Sequence, residues 1–167
     1  METLSKTQVI KDLKERSILV AREFEAPLAT VWRAYTDSKI LDQWWGPHPW
    51  KAETKSMNFS VGGYWLYAMV GPANERHWAR MDYTAIDHLK SFGIKDSFCD
   101  ENGVLNTAFP ISTGQIVFTE IDNGTLVEFK TIYPSEKDLK TIVEMGFEQG
   151  ITICVEQLVE LLRQNKI

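Results

Sequence analysis

The residues able to do chemistry are few and scattered. His48, His77 and His88 lie far apart, and no HExxH pattern places two imidazoles one helical turn apart for zinc. Cys99 and Cys154 are isolated, which argues against a zinc site. A Cys–His nucleophile assembled by the fold stays open, although Cys154 sits in an apolar helical stretch and reads as core. There is no G-x-S-x-G elbow, no P-loop and no dinucleotide fingerprint. Gly62 and Gly63 precede a strand rather than a helix, so they make a turn or bulge and not a phosphate cradle. Glu23, Glu25, Asp100 and Glu101 read as solvated carboxylates. An acid or base hidden in a cavity, such as His77, Asp82 or Glu120, stays open. No catalytic residue, metal ligand or cofactor is therefore assigned.

What remains is the chemistry of apolar recognition. Trp65, Tyr67 and Met69 alternate along one stretch, so as a strand they project from one face. Bulky, polarisable side chains of this kind line ligand pockets, and they equally fill cores. Trp45 follows Trp44 at the end of a short helix, where one ring can pack inward and the other cover a cavity mouth. Trp78, Met81, Phe98 and Phe118 on the following strands complete the strand-borne part of the candidate lining. Met145, Gln149 and Ile153 recur at helical spacing and form a further stripe, in which Gln149 is the one polar group able to orient a ligand. Gly146 and Gly150, one turn apart, each cost about 1 kcal/mol inside a helix. Close approach to the sheet, or room for a ligand, would offset that cost.

These side chains need elements to position them. Ser17 to Glu25 alternates and is rich in β formers, so it reads as a strand. Pro27 opens a helix carrying Val31, Trp32, Ala34 and Tyr35, and Asp37 or Ser38 caps a second that Gly46-Pro47 stops. The period then switches to two. Strands are expected at 51–59, 64–70, 77–87, 89–99, 115–121 and 125–133, separated by turn signals that include Asp122-Asn123-Gly124. Ser135 and Asp138 form a capping box ahead of one long helix running to about Leu162. Residues 1–16 read as an arm or a short helix, and 17–167 as a single domain. An antiparallel meander has one face to cover, and a long terminal helix covers it, which makes an α+β fold.

Bulk properties narrow the function classes. Of 167 residues, 44% are hydrophobic and 25% charged, an ordinary globular balance. The net charge of -5, with no basic cluster, argues against a nucleic-acid partner. No apolar run is long enough to span a membrane, and the N-terminus lacks the apolar region of a secretory signal. Two distant cysteines in such a chain read as reduced thiols of a cytoplasmic protein.

Three segments, in order, carry a resemblance. They are Val31-Trp32-Arg33-Ala34-Tyr35-Thr36-Asp37 with Trp44-Trp45-Gly46-Pro47, then Gly62 through Pro72 (GGYWLYAMVGP), then Met145 through Gly150 leading into Leu158, Leu161 and Leu162. From about Arg16 to Leu162 the chain resembles proteins like the C-terminal domain of the activator of the Hsp90 ATPase. That family belongs to the START-like, or polyketide-cyclase-like, superfamily. The resemblance implies a helix-grip fold, START-like and Bet v 1-like, with a curved antiparallel sheet wrapped around a long C-terminal helix and two short helices after the first strand. It also implies a cavity between sheet and helix. The expected function is binding of a small hydrophobic molecule, without a visible catalytic constellation. A chaperone-related interaction module follows from the family name alone, and a cyclase- or hydratase-type enzyme from the superfamily. A homodimer paired through an exposed edge strand is compatible with the same reading.

Overall fold

The computed structural model describes residues 6–165 and Ile167. Strand β1 (Gln8–Asp12) pairs antiparallel with β2 (Ser17–Phe24), in register from Gln8 opposite Ala21 to Asp12 opposite Ser17. Residues 8–12 are thus an edge strand, where the sequence suggested an arm or a short helix. Val9 packs against the core while Gln8, Ile10 and Lys11 stay exposed. The pattern is too sparsely apolar to announce a strand, and pairing with β2 supplies what propensity does not.

After β2 the chain crosses through two short helices, α1 (Leu28–Thr36) and α2 (Ser38–Trp44). Pro27 is the N-cap of α1, and its carbonyl accepts from the backbone N–H groups of Thr30 and Val31. Asp37 caps α2 by accepting from the Lys39 N–H at 2.9 Å. The remaining strands are β3 (Lys51–Met57), β4 (Tyr64–Val70), β5 (Arg76–Asp87), β6 (Ser91–Phe98), β7 (Ser112–Ile121) and β8 (Gly124–Ile132). They run as a meander, so the sheet order is β1-β2-β8-β7-β6-β5-β4-β3, with every neighbouring pair antiparallel. Extra residues bulge β3 between Thr54 and Ser56 and β5 between Tyr83 and Ala85, which helps a sheet of this width to curve.

The C-terminal segment is two helices, α3 (Glu136–Glu144) and α4 (Phe147–Arg163), where the sequence pattern suggested one. The capping box forms as expected: Ser135 Oγ accepts from the Asp138 N–H at 3.1 Å and donates to the Asp138 carboxylate at 3.0 Å. The break falls at Gly146, whose φ of 88° is left-handed. A glycine there ends one helix and begins the next at no steric cost, so its helix penalty never arises.

The core lies between α1, α2 and α4 and one face of the sheet. Ile18, Val20, Phe92, Ile94, Ile116, Phe118 and Val127 project inward from the sheet, and Ile151, Cys154, Val155 and Leu158 meet them from α4. Trp44 is 1% exposed, and its indole N–H donates to the Ala34 carbonyl at 2.9 Å. That bond satisfies the only polar atom of a fully buried ring.

Candidate ligand site

Strand parity and pairing define the inner face near α2. Trp65, Tyr67 and Met69 alternate along β4, and the rings of Trp65 and Tyr67 stack with centroids 4.0 Å apart. Cross-strand pairing continues these rows: Trp65 sits opposite Met81, Met81 opposite Asp96 and Asp96 opposite Ser112, while Tyr67 sits opposite Ala79 and Ala79 opposite Phe98. Trp45, just past α2, reaches the same wall and donates its indole N–H to the Tyr67 hydroxyl at 3.1 Å. Trp65 in turn donates to Thr54 Oγ1 at 2.9 Å, and that hydroxyl donates to Asp42 Oδ1 at 2.6 Å. The polar ends of both indoles are therefore tied back, which leaves their apolar faces for packing or contact.

Seven of the eleven residues expected to line a site lie on this concave side: Trp45, Trp65, Tyr67, Met69, Met81, Phe98 and Phe118. They are not equivalent. Trp65, Tyr67, Met81 and Phe118 are buried, whereas Trp45, Met69 and Phe98 are only partly covered. Phe118 belongs to a closed aromatic cluster, 4.9 Å from Trp32 and 5.4 Å from Tyr35.

Four residues are placed elsewhere. Trp78 pairs with Ala68, projects from the outer face, and has Lys55 Nζ 5.8 Å from its ring centre; strand parity puts it opposite in direction to Ala79 and Met81. Met145 lies at the helix break and is 55% exposed. Gln149 and Ile153 are on the solvent side of α4, because Ile151, Cys154, Val155 and Leu158 set its buried stripe. An i, i+4 pair offset by two residues from that stripe points away from the sheet. Gly150 makes no close approach to the sheet: among the described residues, the one atom a Cβ there would meet within 4 Å is Pro47 Cγ at 3.7 Å, an ordinary contact.

The half of the interior beneath α4 is nearly filled. A void bordered by Arg22, Tyr35, Trp45, Phe129, Ile151 and Val155 holds about 10 Å³, about the size at which one water can fit. Helix and sheet are clamped around it. Arg22, buried on β2, donates to Glu156 on α4 at 3.1 and 3.3 Å. Gln157 donates to the carbonyls of Trp44 and Gly46 at 2.9 and 2.8 Å and accepts from the His48 N–H at 3.0 Å.

The inner face also carries an acid that the motifs do not single out. Asp96 follows Phe92 and Ile94 in alternation, so it faces inward. It retains some exposed surface although its neighbours Met81 and Ser112 are each 5% exposed. Burial against protein pushes its carboxyl up to about 7, partly opposed by a bond from the Ser97 N–H. Burial first, and then the Asp96 charge, raise the phenol of Tyr67 well above its ordinary range; the same two causes act on Tyr133. Of the acids and bases left open from sequence, His77 sits opposite Met69 at the exposed end of the inner face, whereas Asp82 projects from the outer face and Glu120 lies at the far end of β7. Asp82 is ion-paired with Arg80 at 2.7 Å, while His77 and Glu120 are exposed. Glu120 borders a polar surface groove of about 630 Å³ with Glu25 and Asp122. Among the described residues no group of three or more His, Cys, Asp or Glu is arranged to hold a metal. Burial raises the Cys154 thiol to about 11, and its sulfur accepts from the Gly46 N–H at 3.3 Å, so it behaves as core. No helix among the described residues is long and apolar enough to cross a membrane.

A curved antiparallel sheet closed by a C-terminal helix over an aromatic inner face defines a helix-grip protein of the START-like class. Within that class the chain belongs to the family described as Activator of Hsp90 ATPase homolog 1-like protein, whose model matches residues 25–163. Solved structures agree over nearly the whole chain. Protein Ms6760 from Mycobacterium smegmatis is 33% identical, covering 93% of this chain and 96% of its own, with a TM-score of 0.86. A protein from Arthrobacter aurescens is 28% identical over 97% of this chain and 93% of its own, with a TM-score of 0.89. One from Staphylococcus epidermidis is 26% identical over 95% and 94%, with a TM-score of 0.82. No curated protein matches.

Proposed function

We propose that the protein binds a small, mainly apolar molecule against the inner sheet face, between the Trp65–Tyr67–Met69 row and the strand carrying Phe98. The observation that carries this reading is the uneven cover of that face. Trp65, Tyr67 and Met81 are buried, yet Met69, Asp96 and Phe98 keep exposed surface on the same concave side. A ligand laid there would cover apolar area and find a few polar groups, as small-molecule sites usually provide. The Trp44–Trp45 segment, clamped to α4 through Gln157, is the wall such a ligand would touch or displace.

Titrating fatty acids, isoprenoids, flavonoids and aromatic polyketides while following tryptophan fluorescence and melting temperature tests the reading. Trp45 and Trp65 lie on this wall, so a bound ligand is expected to change emission saturably and to raise the melting temperature. If no class produces either response, the ligand reading fails and the partner reading suggested by the family description moves forward. An acid held near neutrality beside two phenols is also the equipment of acid–base catalysis. Turnover of a bound compound in the same assay would move the protein from carrier to enzyme.

A further inference from the structure

We propose that Asp96 anchors a protonated amine, so that the site selects apolar amines over neutral molecules of the same shape. The inference rests on the ligand-binding reading above and adds the class of ligand.

Asp96 is the odd member of an apolar row. Phe92, Ile94 and Phe98 share its face of β6, and Met81 and Ser112 flank it on the neighbouring strands. Facing apolar side chains, a carboxylate needs a counter-charge or must give up its own. None of the ion pairs among the described residues involves Asp96. The bond it accepts comes from the next residue's backbone. The groups that feel its charge are Tyr67 from β4, Tyr133 just past β8 and Cys99 just past β6, while Cys154 of α4 acts on Tyr67 in turn. Each is neutral or, on titrating, becomes negative; none supplies a positive charge. The one cation among the described residues that acts on any of them, Arg80 beside Cys99, projects from the outer face and is ion-paired with Asp82. Asp96 on the inner face therefore has only acidic or neutral neighbours among the described residues.

An ammonium group fits what is lacking. It brings the counter-charge and donates charge-assisted hydrogen bonds to the carboxylate. Phe98, two residues along on the same face and only partly covered, offers apolar surface to its stem. The net charge of -5 draws cations towards the molecule at longer range. A neutral alcohol of the same size recovers one hydrogen bond and leaves the carboxylate uncompensated. A carboxylic acid ligand would be repelled by it.

A proton linkage follows. An ammonium stabilises ionised Asp96, so amine binding near neutral pH releases a proton, and amine affinity rises with pH through about 7 before levelling off.

The test uses matched pairs, 2-phenylethylamine against 2-phenylethanol and octylamine against octanol, titrated calorimetrically into the full chain in two buffers of different ionisation enthalpy. At about pH 8 each amine is expected to bind at least about tenfold more tightly than its alcohol. The advantage should shrink towards about pH 5, with fractional proton release near pH 7. In Asp96→Asn the ratio of the two affinities should fall towards one and the proton release should vanish, circular dichroism confirming that the variant is folded. Should the variant fail to fold, the pH dependence and proton release of the unaltered protein still decide. Alcohols binding as tightly as amines at every pH would overturn the amine anchor while leaving the ligand reading in place. No binding of either member of any pair would likewise overturn the amine anchor, and the ligand reading would fall with it only if the wider panel above also gave no response.

Discussion

Asp96 shows how one side chain couples stability to the site. Unfolded, its carboxyl would titrate at its ordinary value of 3.8; folded, burial raises it to about 7. Between those values the folded protein holds a proton that the unfolded chain has lost, so this residue lowers stability progressively as pH rises from about 4 to about 7. Below that window it is neutral in both states and costs nothing; above it the cost is complete. Asp96→Asn removes the charge, so at about pH 8 the variant is expected to be more stable by on the order of 2–4 kcal/mol. The gain should fade towards pH 4. Urea unfolding at both pH values checks this, and an equal difference at both would refute the linkage. The residue lies within reach of a sequence reading: Phe92, Ile94, Asp96 and Phe98 share a strand face, and an acid in that row is the anomaly. The histidines, Asp82 and Glu120 are no less conspicuous as candidates in the chain, and only the fold reveals that they are exposed or paired.

At the scale of the element, the helix break decides which residues can meet a ligand. Gly146 adopts a left-handed φ of 88°, and a Cβ added there would meet nothing closer than Gln149 Oε1 at 3.9 Å, so backbone strain alone opposes a side chain. Gly146→Ala should therefore cost about 1–2 kcal/mol. Gly150 lies inside α4 with ordinary room for a methyl, and Gly150→Ala should stabilise by up to about 1 kcal/mol, raising the melting temperature by about 2–4 °C. Opposite signs for the two variants in scanning calorimetry are the expected result; two losses would mean that Gly150 is held by a constraint other than helix propensity. Gln157 joins α4 to the segment after α2 through three hydrogen bonds. Gln157→Ala strips the carbonyls of Trp44 and Gly46 of that donor and should cost about 1–3 kcal/mol. Tryptophan emission is expected to shift as Trp45 loosens, and unchanged chemical denaturation would show that water replaces the amide at no cost.

For the whole molecule, the sheet is anchored unevenly. β6, β7 and β8 each have neighbours on both sides and carry Ile94, Ile116 and Val127 into the core, whereas β1 pairs with β2 alone and is mostly exposed. Local opening should follow that order. Hydrogen exchange is expected to be slowest at Phe92–Ile94, Ile116–Phe118 and Val127–Phe129 and to run orders of magnitude faster along β1. Protection of β1 equal to that of β8 would show that the edge is buried in solution.

Element order was legible from the chain because it rests on interactions between near neighbours. The alternation at 64–70, the Asp37 and Ser135 caps and the Asp122-Asn123-Gly124 turn specify local geometry wherever the segment lies. The three motif segments added the family and with it the helix-grip arrangement. Tertiary structure decided what near neighbours cannot. Trp78 and Met81 look equally suited to a wall, but pairing with β4 turns one outward and the other inward. Met145, Gln149 and Ile153 have helical spacing, yet packing of Ile151, Val155 and Leu158 against the sheet claims the inward side of α4. The same packing shrinks one half of the interior to about 10 Å³ while leaving Asp96 partly open. Alternation is symmetric between a strand's two faces, and only contacts distant in sequence break that symmetry.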